Sequence, residues 1–374
     1  TTFTLTLSAT DKLAVNGLLN KNGTSADGGT TYNLAAADNW MTGSPAANNV
    51  ADATSGVTVS NYAAPTITSA AYDYGTNVLT VTGTNFVNKS GASNDVDIST
   101  LTFTGEGGGT YTLTSASDVE ITSATSFSVT LSGADLLGVE SLLNKDGTSS
   151  AGGTTYNLAA ADNWMAGAAA STDIADTTGN GITVSNYAIP TITSAAYDVS
   201  TGQLTVTGAN FVNASGASND VDASLLTLTG EGGSYTLTDT SDVDVTSATS
   251  FTITLSATDQ LNVNGLLNKD GTTSATSGTT YNLAAADNWM IQSPAGTDIA
   301  DATGNGITVS NYAAPAITSA TYDSATGTLV VTGTNFVGSS GANNDIDTSL
   351  LTFTGESGAT YTLTDTSDVD VTSA

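Results

Sequence analysis

The sequence predicts an all-β protein of tandem antiparallel β-sandwich domains with short helical insertions, and three observations predict it. The chain is three copies of one unit, residues 1–124, 125–248 and 249–374, opening TTFTLTLSATDKL, TSFSVTLSGADLL and TSFTITLSATDQL. Within each copy, short β-branched runs alternate apolar with small polar residues, the period of a half-buried strand. Turn clusters such as GEGGG and NKDGTSSAGG separate the runs.

Domain phase is set by proline. Pro65, Pro190 and Pro315 recur at spacings of 125, each after a strand-like run: GVTVSNYAA, GITVSNYAI and GITVSNYAA. A proline after a finished strand suits a junction. The expected division is therefore 1–64 as the C-terminal half of a repeat, 65–189 and 190–314 as whole repeats, and 315–374 as an N-terminal half. Either the chain is cut from a longer array, the reading preferred here, or successive chains complete each other head to tail.

Within 65–189 the predicted strands are 66–68, 78–86, 101–105, 110–114, 119–123, 127–132, 154–158 and 181–187. The alternation VLTVTGTNF over 78–86 is the strongest of these signals. Ser132 with Asp135 three residues on resembles a capping box ahead of LLGVESLLN, repeated at Ser8/Asp11 and Ser256/Asp259. A second helical turn is expected at LAAADNWM, with Trp40, Trp164 and Trp289 plugging one end of each core.

Composition narrows function. There are 35 acidic residues against 5 lysines, for a net charge of −30, with no histidine and no cysteine. Nucleic acid and anionic membrane surfaces repel such a chain, and thiolate metal sites and disulfides are excluded. No apolar run approaches spanning length. No enzyme is expected: a repeated surface without a cleft-building insertion does not supply one asymmetric site.

The run PTITSAAYDYGTNVLTVTGTNF and its counterparts from Pro190 and Pro315 resemble the opening of immunoglobulin-like TIG repeats, which close on Gly-x-Asn-Phe. Gly83/Asn85/Phe86, Gly208/Asn210/Phe211 and Gly333/Asn335/Phe336 carry the match. The back half, GTTYNLAAADNW…DIADATGNGITVSN, is similar to immunoglobulin-like modules of bacterial S-layer proteins and large adhesins. Asp176/Gly179/Asn180 and Asp301/Gly304/Asn305 fit, whereas the first copy lacks the Asn. The resemblance implies tandem immunoglobulin-like domains forming a stiff rod in an extracellular, cell-surface or matrix protein of a bacterium, calcium binding aside. A stalk of an adhesin, with its binding tip elsewhere, and a self-assembling filament or sheath subunit are the alternatives. Partners would be neighbouring copies of itself and an unknown surface or matrix ligand.

The candidate metal ligands lie in the acidic loops SNDVDIS, SNDVDAS and NNDIDTS: Asp95, Asp97, Asp220, Asp222, Asp345 and Asp347, with Glu106, Glu231 and Glu356 downstream. Carboxylates at alternate positions of a loop can converge on Ca²⁺, which takes six to eight oxygens. The other reading is an Asx-turn loop with solvated acids, and both stay open. The loops of Asp52, Asp176 and Asp301 form a second cluster. The pairs Asp118/Glu120, Asp242/Asp244 and Asp368/Asp370 read as an outward charged strand face. Lys21, Lys145 and Lys269 share one slot and read as surface or helix-end lysines.

Overall fold

The computed structural model describes residues 1–214, 216, 218–294, 296–339, 341 and 343–372. Ser373 and Ala374, which close the third sequence copy, lie outside the described residues. The chain divides into two compact units, Thr1–Ala188 and Ile189–Ala374.

In the first unit, residues 1–64 form helix α1 (Ala9–Leu18) and a two-stranded sheet of Asn33–Ala36 with Asp52–Gly56. Next comes a complete repeat. Its larger sheet has the order Ser126–Thr130, Val78–Thr84, Thr66–Asp73, Ile182–Ser185; its smaller one has the order Thr110–Thr112, Leu101–Thr104, Asn157–Ala160. Helix α2 (Gly133–Leu142) packs against the smaller sheet. The second unit repeats this with Ser250–Thr254, Gln203–Ala209, Thr191–Asp198 and Ile307–Ser310 in one sheet. Gly233–Thr236, Leu226–Gly230 and Asn282–Ala285 form the other, with helix α3 (Ala257–Leu266) beside it. Two hairpins follow, Ala316–Asp323 with Thr328–Thr334 and Thr352–Thr354 with Thr360–Thr362.

This architecture corrects the all-β, antiparallel immunoglobulin-like expectation and the resemblance behind it. The fold is mixed: ten-residue helices lie among sheets of two to four strands. In each complete repeat the last strand runs parallel to the first, Ala70 beside Ile182 and Ala195 beside Ile307. Alternation along a strand reports which face is buried; it carries no information on the direction of the neighbour, which is why sequence pattern missed the parallel pair. Nor are the helices appendages. Leu137, Val139 and Glu140 of α2 are buried, and a Cβ on Gly105 or Gly230 would sit 2.4 Å from the carbonyl oxygen of Leu142 or Leu266. The helix ends at the sheet through a contact only glycine allows.

Strands form at every predicted run except 119–123, which makes only a single bridge, Val119 with Val96. The Gly-x-Asn-Phe element has a steric cause. A Cβ on Gly83 would meet the Thr66 carbonyl at 2.1 Å and the Phe86 ring at 2.5 Å, and Asn85 turns the chain at φ +58° so that Phe86 folds back into the core. There Phe86 meets Trp164 edge-on, ring centroids 5.6 Å apart, and the Trp164 indole donates to the Ile174 carbonyl at 2.8 Å. Among the described residues no helix is long and apolar enough to cross a membrane.

Candidate functional site: carboxylate staples and two open core faces

The predicted metal ligands serve the chain's own backbone. Asp95 is fully buried and accepts from the amides of Lys89 and Ile121 and from the Asn88 side chain. Asp220 does the same with Ala214, Val245 and Asn213. Burial raises both carboxyls above the usual range, against the pull of those amides. Asp345, partly exposed, accepts from Ser339 and Val371. Asp97, Asp222 and Asp347 each cap a short 3-10 turn through the amide of the serine two residues on. Among the described residues no three carboxylates converge in a way that could hold a metal ion.

Glu106 and Glu231 reach across their repeats. Glu106 accepts from the Gly152 amide at 2.8 Å and the Asn144 side chain at 3.0 Å; Glu231 accepts from Thr276 and Ser277, both at 2.8 Å. Partial burial opposes ionisation of Glu106, yet these donors hold it below the usual range; the Thr276 amide foremost brings Glu231 to about 2. The Glu356 carboxylate accepts no hydrogen bond among the described residues.

The acid pairs combine exposure with bonding: Asp118 and Asp368 are exposed and Asp242 half-buried, while their carboxylates receive the amides of Ile98, Thr348 and Ala223 and so brace the acidic loop. Asp176 and Asp301 accept from Ile67 and Ile192, securing the first strand of their own repeats. Lys21 pairs with Asp27 at 3.4 Å on the surface.

Two groups were visible in sequence only as helix punctuation. Ser8 and Ser256 cap their helices by accepting from Asp11 and Asp259, while Ser132 makes no side-chain cap bond. Asp135 and Asp259 do more than cap. Asp135, fully buried, collects the amides of Thr114, Ser115 and Ala116 and the Tyr111 hydroxyl. Asp259 collects the equivalent set around Thr238–Thr240 and, although burial opposes ionisation, those donors hold it at about 2. Every bond that the Asp135 and Asp259 carboxylates accept from these loops joins the front half of a repeat to its back half.

Glu140 escaped sequence reasoning because only the second copy has it; Asn16 and Asn264 stand in its place. It is buried, and its carboxyl accepts from the Tyr72 hydroxyl at 2.9 Å. Burial pushes it up to about 7 against the lowering effect of that hydrogen bond. Tyr74 donates to the Glu140 carbonyl at 2.7 Å and lies edge-on to Tyr187, 5.1 Å between centroids.

The half-repeats leave their cores open. Residues 315–372 present a cleft of about 840 Å³ lined by Tyr322, Leu329, Val331, Phe336, Leu351 and Phe353. Tyr322 is 58% exposed, whereas Tyr197, its equivalent in the complete repeat, is 0% exposed. Residues 1–64 show the complementary deficit: Leu5 is 65% exposed where Val129 is 7%, and Trp40 44% where Trp164 is 0%. Trp40 still donates to the Val50 carbonyl as Trp164 does to Ile174, so the local turn is intact and only the cover is missing.

No protein-family model and no curated protein matches the chain.

Proposed function

We propose that the chain associates with further copies of itself by completing repeats: the open face of 315–372 receives residues 1–64 of a second copy. The stiff rod of stacked immunoglobulin-like sandwiches, as matrix fibre, adhesin stalk or filament subunit, does not stand, since it rests on a fold the chain does not have. Head-to-tail completion, the second option that the sequence left open, does not need that fold, and one observation supports it: the uncovered residues at 315–372 are those that the complete repeats bury under a segment whose sequence recurs at 1–64.

The register follows from the complete repeats. Leu79 lies beside Val129 and Val81 beside Phe127, as Leu204 does beside Ile253 and Val206 beside Phe251. The equivalent pairing sets Leu329 beside Leu5 and Val331 beside Phe3. Phe103 beside Leu158 translates to Phe353 beside Leu34, and the parallel pair Ala70 with Ile182 to Ala320 with Val57. Polar groups complement as well. Asp11 falls where Asp135 gathers its three amides, and Glu356 faces Asn20 and Gly28, the counterparts of Asn144 and Gly152. Burial of exposed apolar surface drives the step, while the net charge of −30 opposes it until salt screens the repulsion.

Sedimentation velocity of the full chain tests this. The weight-average mass should rise with concentration and with salt. L5D and V331D should each leave the chain monomeric on its own. An equimolar mixture should form one-to-one dimers through the single intact pair of faces. A chain monomeric at every concentration and salt, or L5D and V331D that associate like the parent, would overturn the reading. An extracellular setting belongs to the same proposal, supported by the lack of arginine and the scarcity of lysine, which give trypsin-like proteases few sites. So does the absence of enzymatic activity, supported by a surface repeated along the chain in place of one asymmetric site.

A further inference from the structure

The two complete repeats differ at one buried position with a consequence for binding. In the first, Tyr74 stands between Tyr72 and Tyr187, edge-on to both at 5.4 and 5.1 Å, and its hydroxyl donates to the Glu140 carbonyl. In the second, the equivalent residue is Val199, which cannot fill that space. Its backbone keeps the same place, the Val199 amide bonding the Ser310 carbonyl as Tyr74 bonds Ser185. A pocket of about 310 Å³ opens there, lined by Val199, Gln260, Asn264 and Tyr312 and walled by Asn335 and Val337.

We infer that this pocket is a binding site for a phenol, either a small free phenol or a tyrosine side chain. The first repeat already contains the bound state, with Tyr74 as its tethered ligand. By that equivalence the ring of the ligand lies edge-on to Tyr312, and its hydroxyl donates to the Asn264 carbonyl. That carbonyl belongs to the last turn of α3, where helical acceptors are left over, and it receives no hydrogen bond among the described residues. Asn264 is 7% exposed; its Oδ1 accepts from the Tyr197 hydroxyl at 2.7 Å, and its amide hydrogens are unpaired among the described residues. Such a site selects hydroxyl-bearing rings, since an analogue without the hydroxyl leaves buried polar groups unsatisfied. The lining carries no charged side chain, so the ligand is neutral.

Titration of the full chain with p-cresol, followed by calorimetry and by nuclear Overhauser contacts to the Tyr312 ring, tests the inference. One saturable site is expected, with toluene at least tenfold weaker. V199Y should weaken p-cresol binding at least tenfold by filling the pocket. Y74V should open the matching pocket in the first repeat and double the stoichiometry. N-acetyltyrosinamide binding as well as p-cresol would identify a tyrosine side chain as an acceptable source; binding by p-cresol alone would identify a free phenol. No saturable p-cresol binding to the parent chain would overturn the inference, as would binding that gives no contact to Tyr312. The contact to Tyr312 decides the matter even if V199Y does not fold.

Discussion

A complete repeat and a half-repeat of this chain share strand sequences, turn residues and local hydrogen bonds, yet differ in almost everything that stabilises a fold. Thr191–Asp198 pairs with Gln203–Ala209 through the same register, bulge included, as Ala316–Asp323 with Thr328–Thr334. The first hairpin alternates buried and exposed residues; Ala316–Asp323 is exposed at every position. What separates them is a back half contributing an antiparallel strand on one side, a parallel strand on the other, and a helix whose aspartate gathers a loop. Local sequence forms the hairpin, and segments from tens to more than a hundred residues further along the chain determine whether it has a core. Apolar burial acts across the repeat, so neither half holds its own share of the stabilisation.

The largest test of that contrast is the tryptophan. Trp164→Ala removes a fully buried indole packed on Phe86 and should cost roughly 3–5 kcal/mol in urea unfolding. Trp40→Ala, measured at a concentration where the chain is monomeric, should cost less than about 1 kcal/mol. Equal losses would show that the half-repeat is covered in solution.

The next compares Glu140 with Asn264. Below about pH 4.5 Glu140 is protonated in both folded and unfolded chains. As pH rises the unfolded chain releases the proton first, because burial lifts the folded value to about 7. The first repeat therefore loses stability progressively between those values and does not regain it above, by at most roughly 3 kcal/mol. Native-state hydrogen exchange should show Ile182–Ser185 losing protection over this window while Ile307–Ser310, in the repeat with Asn264, does not. E140Q should abolish the difference, and a window that persists in it would assign the effect to another group.

The smallest expected effect concerns calcium. Asp95 and Asp220 spend their oxygens on three donors each in the complete repeats, and Asp345 on two amides in the half-repeat. Exchanging EDTA for millimolar calcium should move Tm by less than about 1 °C. A rise of several degrees would make these loops ligand sites, since a ligand stabilises in that way by binding the folded state.

Much of the local structure was legible. The period-2 runs located the strands, Pro65 and Pro190 lie just before Thr66–Asp73 and Thr191–Asp198, and the repeated Ser-x-x-Asp placed three helices. The acidic loops were recognised as special, but an Asp-x-Asp spacing is the same whether its oxygens face a cation or a ring of amides. Asp135 looked like a cap because the loop it gathers, 114–116, comes from the other half of the repeat. Glu140 was invisible because it departs from the repeat in one copy only, and Val199 because its position holds a different residue in every copy, Tyr74, Val199 and Ser324; neither change says anything until its neighbours are known.

By itself the sequence determined the repeat, most of the strands, the three helices that follow Ser-x-x-Asp, the acidity and much of the turn chemistry, since these depend on side-chain alternation, caps and glycine conformations within a few residues. At LAAADNWM, where a helical turn was expected, the strand Asn157–Ala160 and a tight turn stand instead. Only the tertiary structure decided the parallel closing strand, the bonds from carboxylates to amides across each repeat, the open faces of the half-repeats and the pocket beside Val199. Those depend on which segments meet across separations from about twenty to more than a hundred residues of chain. The physical reason is that hydrogen bonds and apolar burial act by distance in space, whereas a sequence pattern reports distance along the chain.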